Sequence, residues 1–297
     1  MSRLLFQGVP GTADASESMP ASLNRGPFDS SADADLPGMT TGLSESDNPD
    51  PKLREECGVV AIHGHAEAAR QAYLALYALQ HRGQESAGIA TADGHHLANI
   101  KGMGLVSEIF TNEVLAKLPG PMAIGHTRYS TTGDSALLNA QPIRVDSTKG
   151  LIAIAHNGNL VNLGNLKTRL EREGAYFQTT SDSEIIVQLI AHSEAASLVD
   201  AIADSLAQVE GAFSIVMMTR DRIFAARDPR GFRPLSIARI KNPGAPDTVI
   251  FASESCAGGG SIGGLSVEVS FLANSISEIR IAGAAAATGT EPDSAPQ

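Results

Sequence analysis

Hydrophobic positions are unevenly spread along the chain. From Met1 to about Asp50 the sequence is Ser, Ala, Gly, Pro and Asp with no hydrophobic period, and Gly283 to Gln297 (GAAAATGTEPDSAPQ) has the same character. Neither stretch can repay its ordering entropy, so residues 1–56 are expected to form a disordered leader and 283–297 a disordered tail. The apolar density lies between them, over residues 57–282, without internal repeats. There Gly58 to His63 (GVVAIH) has the length and composition of a short buried strand. Glu67 to Leu79 follows with Tyr73, Leu74, Tyr77 and Leu79 at helical spacing. Ser86 to Thr91 and Leu97 to Ile100 flank Asp93-Gly94, a pair that predicts a hairpin because both turn positions favour positive φ. Further strands are predicted at Met122 to Thr127, Leu151 to His156, Ala212 to Thr219, Ile223 to Arg227 and Val249 to Ala252. Helices are predicted at Leu105 to Leu118, Asn162 to Glu173, Glu184 to Ser193 and Leu198 to Val209. Strands and helices are grouped and do not strictly alternate, which predicts an α+β fold with antiparallel sheet layers covered by helices.

Composition narrows the class. Apolar residues make up 42% and charged residues 19% of the 297, as in an ordinary globular protein. No run approaches the roughly 18 apolar residues of a membrane-spanning helix. The net charge of −11 and the lack of a basic run argue against nucleic acid as a partner. Two cysteines, Cys57 and Cys256, are too few for a disulfide framework or a four-cysteine metal site. With no recognisable targeting segment, a reducing cytoplasm is expected. His63-x-His65 and His95-His96 have no carboxylate or thiolate company, so no metal site is expected.

Four stretches carry candidate chemistry. Cys57 stands directly before a strand and directly after a charged, Pro-bearing approach (PDPKLREE) open to cleavage. If the chain began at Cys57, its α-amino group, with an ordinary pKa of about 7.7 to 8.0, would lie beside the thiol and could act as its base. Cys57 taken alone reads more readily as a buried strand-edge cysteine without chemistry. His156-Asn157-Gly158-Asn159 at a strand end could aim an amide and a glycine N–H at one spot, as an oxyanion hole requires, although Asn-Gly is also a turn signal. Gly125 to Gly133 (GHTRYSTTG) offers the planar fork of Arg128 to a carboxylate, followed by hydroxyls that include Thr131. Ser181-Asp182-Ser183-Glu184 matches a capping box, which occupies Ser181 and Glu184 and leaves Asp182 to hold an ammonium group. Nucleophile, oxyanion hole, carboxylate clamp and ammonium clamp are what hydrolysis of the side-chain amide of glutamine requires. A Cys–His pairing with His81, His126 or His156 is the competing arrangement.

The segments CGVVAIHGH, LQHRGQESAGI, IGHTRYSTTG, AHNGNLVN, TTSDSE and DPRGFRPL, in this order, resemble the N-terminal half of the amidophosphoribosyltransferase family over about Glu55 to Ala257. The resemblance implies a class II glutamine amidotransferase domain of the N-terminal-nucleophile hydrolase fold, a four-layer αββα sandwich. It implies that Cys57 is the nucleophile, released by propeptide removal, and that Asn157 and Gly158 form the oxyanion hole. Arg128 would bind the glutamine carboxylate and Asp182 its amino group, with Thr131 among the substrate-binding residues and Arg82, in the HRGQ loop, near the nucleophile. Glucosamine-phosphate synthase relatives usually read HTRWATHG and asparagine synthetases differ at HRGPD. The family pattern is lost after about residue 257, where GGGSIGGLSVEV begins, as in a truncated or frame-shifted product, and the phosphoribosyltransferase domain is absent. Magnesium and, in some members, an iron–sulfur cluster belong to that second half, so no cofactor is expected in this chain and Cys256 is expected to be structural. Glutamine is the expected ligand, with phosphoribosyl pyrophosphate reached only through a separate transferase domain. Homo-oligomer formation is left open. The alternatives are a glutaminase domain of another class II amidotransferase, a non-catalytic binding module that keeps its leader, and an unstable fragment with an uncovered sheet edge.

Overall fold

The structure, a computed structural model, describes residues 57–129 and 136–255 and the backbone of Val267–Phe271 and Ile276–Arg280. All of these belong to a unit spanning Glu55–Gln297. The expected leader, Thr131, Cys256 and the expected tail lie outside the described residues.

Two antiparallel sheets form the centre. The larger is built from β1 (Gly58–His63), β2 (Ser86–Ala92), β3 (Leu97–Met103), β4 (Met122–Arg128), β9 (Ser236–Ile240), β10 (Thr248–Ala252) and β11 (Val267–Phe271), in the order β11-β9-β10-β1-β4-β2-β3. The smaller is built from β5 (Ile143–Ser147), β6 (Gly150–Leu160), β7 (Gly211–Met218), β8 (Arg222–Arg227) and β12 (Ile276–Arg280), in the order β12-β8-β7-β6-β5. The helices are α1 (Ala68–Ala78), α2 (Val106–Ile109), α3 (Asn112–Leu115), α4 (Leu163–Arg172), α5 (Asp182–His192) and α6 (Leu198–Leu206).

Strand alternation explains why these elements stack in four layers. In β1, Val59 and Ala61 point into the core between the sheets, while Val60 and Ile62 pack under α1 with Ala72 and Leu76. In β6, Leu151, Ala153 and Ala155 meet the first sheet across that same core, and Ile152 and Ile154 join Leu166, Leu170, Ile186 and Ile190 of α4 and α5. A strand buried on both faces reads as a continuous apolar run, as GVVAIH does. The three interfaces of the αββα sandwich therefore coincide with three apolar clusters, and alanines on the inner faces let the sheets approach closely.

Several sequence expectations are corrected here. The helix predicted over Leu105 to Leu118 is two short helices, broken at Phe110 and Thr111, where Thr111 Oγ1 accepts from Val114 N and starts the second. The Asp93-Gly94 turn has positive φ only at Gly94 (97°). Asp93 instead organises a longer loop by accepting from the N–H groups of His95 and His96 at 2.8 and 2.7 Å. Those bonds hold its carboxyl at about 2. The strand predicted to end at His156 runs on to Leu160, paired with β7 throughout. Strands β5, β9, β11 and β12 were not predicted. The last two add one edge strand to each sheet, on β9 and β8.

Leu170 is fully buried beneath α5, whereas Tyr176 is 79% exposed. Leu170→Ala should lower the unfolding free energy by about 2 to 5 kcal/mol. Tyr176→Ala should change it by less than about 0.5 kcal/mol, both measured by urea denaturation.

Candidate functional site

Because both faces of each sheet are covered, polar groups can converge only at the strand ends. Gly58 lies opposite Thr127, so the start of β1 and the end of β4 share one end of the sandwich. There the half-buried Cys57 takes φ of +73°, the only positive value at a non-glycine residue among the described residues. A side chain in that region costs of order 1–3 kcal/mol and persists only where neighbours hold it. Arg82 is the neighbour that does so. Cys57 N donates to Arg82 O at 3.0 Å, and Arg82 Nε donates back to Cys57 O at 2.7 Å. The guanidinium is buried and its Nη1 pairs with Glu254 at the end of β10. The thiol points to Tyr129 O at 3.6 Å.

Arg128 ends β4 almost fully buried, with its Nη1 3.8 Å from Glu85 Oε1. The HRGQ loop lies directly on its backbone: a Cβ at Gly83 would come within 2.6 Å of the Arg128 carbonyl carbon. Glycine is what permits that approach, which sets the loop carrying Arg82 against the end of β4 that carries Arg128.

The second sheet contributes the end of β6. Asn157 is wholly buried, and neither its Nδ2 nor its Oδ1 has a hydrogen-bond partner. An unpaired buried amide is costly and calls for an explanation. Gly158 takes φ of +154°, and a Cβ there would lie 2.1 Å from Ala212 O. Two side chains fix the strand at this point. Gln141 accepts from His156 N at 2.7 Å through Oε1 and donates to His156 O at 3.4 Å through Nε2. His126 Nε2 donates to the same carbonyl at 3.1 Å. Burial pushes the His126 imidazole down to about 3, against the opposing pull of that hydrogen bond. His81 is engaged with Ala78 O and Glu254.

The helix that follows supplies the carboxylate. Ser181 caps α5, its side chain accepting from Ser183 N. The expected capping box does not form, because Glu184 turns away from Ser181 and accepts from Gln178 N, Thr179 N and Thr179 Oγ1 at 2.7 to 2.8 Å. Glu184 is thereby buried and anchors the approach to the helix. Asp182 is left facing the site, with His156 Nδ1 3.4 Å from its Oδ1 and Leu160 N donating to its Oδ2 at 3.4 Å. Burial alone would raise its carboxyl. The charge and hydrogen bond of His156, with the N–H groups of Leu160 and Ser183, outweigh burial and hold it below its ordinary value.

These groups surround one cavity of about 80 Å³, lined by Cys57, Arg128, Gln141, His156, Gly158 and Asp182 among others. The structure thus brings Cys57, Arg128, Gly158 and Asp182 to one wall-to-wall space, with Asn157 directly behind it and Arg82 holding Cys57. A thiol, a cation and an anion around one small cavity, with the unpaired amide of Asn157 next in sequence to its His156 and Gly158 walls, suit a zwitterionic ligand with a polar side chain. Sequence reading missed Gln141 and Asn139. Asn139 exchanges two hydrogen bonds with Thr180, at 2.9 and 3.1 Å. The signal was two amides beside Pro142 in an otherwise apolar stretch. Among the described residues there is no helix long and apolar enough to cross a membrane.

Residues 126–257 match the family described as a glutamine amidotransferase domain. The chain is 52% identical over 208 residues to amidophosphoribosyltransferase 3, chloroplastic, of Arabidopsis thaliana, a match covering 70% of this chain and 38% of that protein. It is 47% identical to the amidophosphoribosyltransferase of Bacillus subtilis, over 69% of this chain and 42% of that one. Among solved structures, it is similar to the glutamine phosphoribosylpyrophosphate amidotransferase of B. subtilis complexed with ADP and GMP. The TM-score is 0.66 at 40% identity, over 75% of this chain and 49% of that chain. The chain therefore spans less than half the length of the relatives it matches.

Stability should depend on pH through the buried groups. Above an ordinary histidine value near 6.5, His126 is neutral whether folded or unfolded. Between about 6.5 and about 3 only the unfolded chain takes up the proton, so stability falls as the pH falls. Asp182, depressed in the folded state, adds a loss of the same sign below about 3.8. Urea unfolding should show roughly 2 kcal/mol less stability at pH 5 than at pH 7 from His126. His126→Gln, which keeps a donor near the Nε2 position, should flatten that slope.

Proposed function

The chain belongs to the amidophosphoribosyltransferase family through its glutamine amidotransferase domain, and from that premise we propose that it hydrolyses glutamine to glutamate and ammonia with Cys57 as the nucleophile. The observation that carries this reading is the convergence of Cys57, Arg128, Gly158 and Asp182 on one cavity. Residues before Cys57 are removed, and the freed α-amine, which can keep its bond to Arg82 O, serves as the base for the thiol. The strained φ at Cys57 supports this, because the torsion is defined against the carbonyl of the preceding residue and disappears when that bond is cut.

Arg128 receives the glutamine α-carboxylate and Asp182 the α-ammonium, which aims the side-chain amide at the sulfur. Thiolate attack on the amide carbon forms a C–S bond and an oxyanion. The unpaired Nδ2 of Asn157 and the N–H of Gly158 are the donors assigned to that oxyanion. The Cys57 α-ammonium, formed when the amine took the thiol proton, returns that proton to the departing nitrogen, ammonia leaves with the C–N bond broken, and water then cleaves the thioester to glutamate and the free thiol. Thr131, outside the described residues, is assigned to substrate binding. In the complete enzyme the ammonia goes to phosphoribosyl pyrophosphate on a transferase domain, as the first step of purine nucleotide synthesis. The cysteine-poor composition supports a reducing compartment, in our reading the cytoplasm, although plant relatives carry the word chloroplastic in their names.

Mass spectrometry of the active protein should find Cys57 as its first residue. A chain that still carries its leader and deamidates glutamine at full rate would sink the mechanism. Cys57→Ala should abolish glutamate release. Asp182→Ala should raise the KM for glutamine by about 10- to 100-fold, with a smaller effect on kcat. An unchanged KM would remove Asp182 from its role.

A further inference from the structure

His156 lies between the two halves of the site and has no role in the mechanism above. Its ring is almost completely buried, with Nδ1 3.4 Å from Asp182 Oδ1 and 3.3 Å from Ser183 Oγ. A carboxylate can only accept, so Nδ1 carries the hydrogen. The ring fills the space that a side chain at residue 158 would need: a Cβ on Gly158 would come within 2.8 Å of Nε2. The main chain of the same residue is held at both N and O by Gln141 and at O by His126. The backbone of His156 is thus fixed in place, and its ring lies against Gly158, two residues on in β6.

We infer that His156 is a positioning residue that locks the Asp182 carboxylate to the oxyanion strand, and that selection for substrates carrying an α-ammonium group depends on it. This rests on the assignment of Asp182 to the ammonium made above. Asp182 opens α5, and its carboxylate also accepts from Leu160 N at 3.4 Å and from Ser183 Oγ at 3.4 Å. Without His156 the carboxylate keeps Leu160 N and Ser183 Oγ but loses its contact with the residue directly before Asn157 and Gly158. The lowered carboxyl value of Asp182, to which His156 contributes both charge and a hydrogen bond, agrees with this. The ring contacts of His156 are to Asp182 and Ser183, so its loss should be felt at the α-amino end of the ligand.

The test compares glutamine with glutaramate, which is glutamine without its α-amino group, by calorimetric titration of the full chain carrying Cys57→Ala, so that ligand is bound and not consumed. The parent should bind glutamine at least about tenfold more tightly than glutaramate, as expected for a charge-assisted contact. Adding His156→Leu should weaken glutamine and leave glutaramate unchanged, so that the ratio collapses. Equal weakening of both ligands, or of neither, would overturn the inference. Asp182→Ala is the control for the underlying assignment: a ratio unchanged by Asp182→Ala would show that the assignment of Asp182 itself is wrong. Should His156→Leu fail to fold, His156→Asn and His156→Gln decide. The Asn amide can place N–H near the Nδ1 position and should keep the ratio, whereas the longer Gln amide reaches toward the Nε2 position and should lose it. Identical behaviour of the two would also overturn the inference.

Discussion

The site depends on the antiparallel register of β1 against β4. Gly58 opposite Thr127 sets Cys57 beside the Arg128–Tyr129 turn, and every further contact of the thiol residue follows from that placement. A slip of one residue would exchange the faces of β1, sending Val59 and Ala61 toward α1 and Val60 and Ile62 into the narrow space between the sheets. That space is lined by Ala90, Ala153, Ala155 and Ala225 and accepts small side chains opposite them. The hydrophobic pattern that fixes the register therefore also fixes the chemistry, although no residue of the inter-sheet core touches the site.

Around that register the protein replaces solvent with its own hydrogen bonds. Asn139 and Gln141 stand two residues apart and reach in different directions, Asn139 to Thr180 ahead of α5 and Gln141 to the main chain of His156 in β6. The short segment from Asn139 to Gln141, just before β5, thus connects the helix that carries Asp182 to the strand that carries Asn157. Glu184 adds a third tie by binding the chain just before the helix. Buried amide and carboxylate groups with both partners satisfied act as rigid spacers, and a charged cavity needs rigid walls if it is to recognise both ends of a small zwitterion.

Much of this was legible in the residues and some of it was not. GVVAIH announced a strand covered on both sides, and the heavily apolar DSEIIVQLIAH announced a buried helix. The HNGN segment offered candidate chemistry, but its backbone is not the turn that Asn-Gly suggests: the pairing of β6 with β7 through Leu160 keeps it extended, with Gly158 allowing close approach to Ala212. Glu184 fitted a local capping pattern and was claimed instead by the loop before it. Strands β5 and β9 were missed because half-polar runs such as IRVDS and SIARI give no apolar period that a loop could not also give. Contacts of Gln141 with His156 and of Arg82 with Glu254 join elements distant in sequence, and spacing carries no information about such pairs.

The division of labour between strained and relaxed parts of the site follows the same logic. Cys57 sits in a conformation that a side chain resists, and it stays there because Arg82 binds its N–H and its carbonyl together while being itself held by Glu254. Asn157 is buried without partners, a second cost at the same end of the sandwich. Arg82 fixes the first locally, and the net stability that offsets both comes from the three apolar clusters, which run from strand to strand. A fold whose stability lies in its layers can leave its strand ends strained and unsatisfied, and those are the places where a ligand atom finds groups that bind it more readily than they bind water.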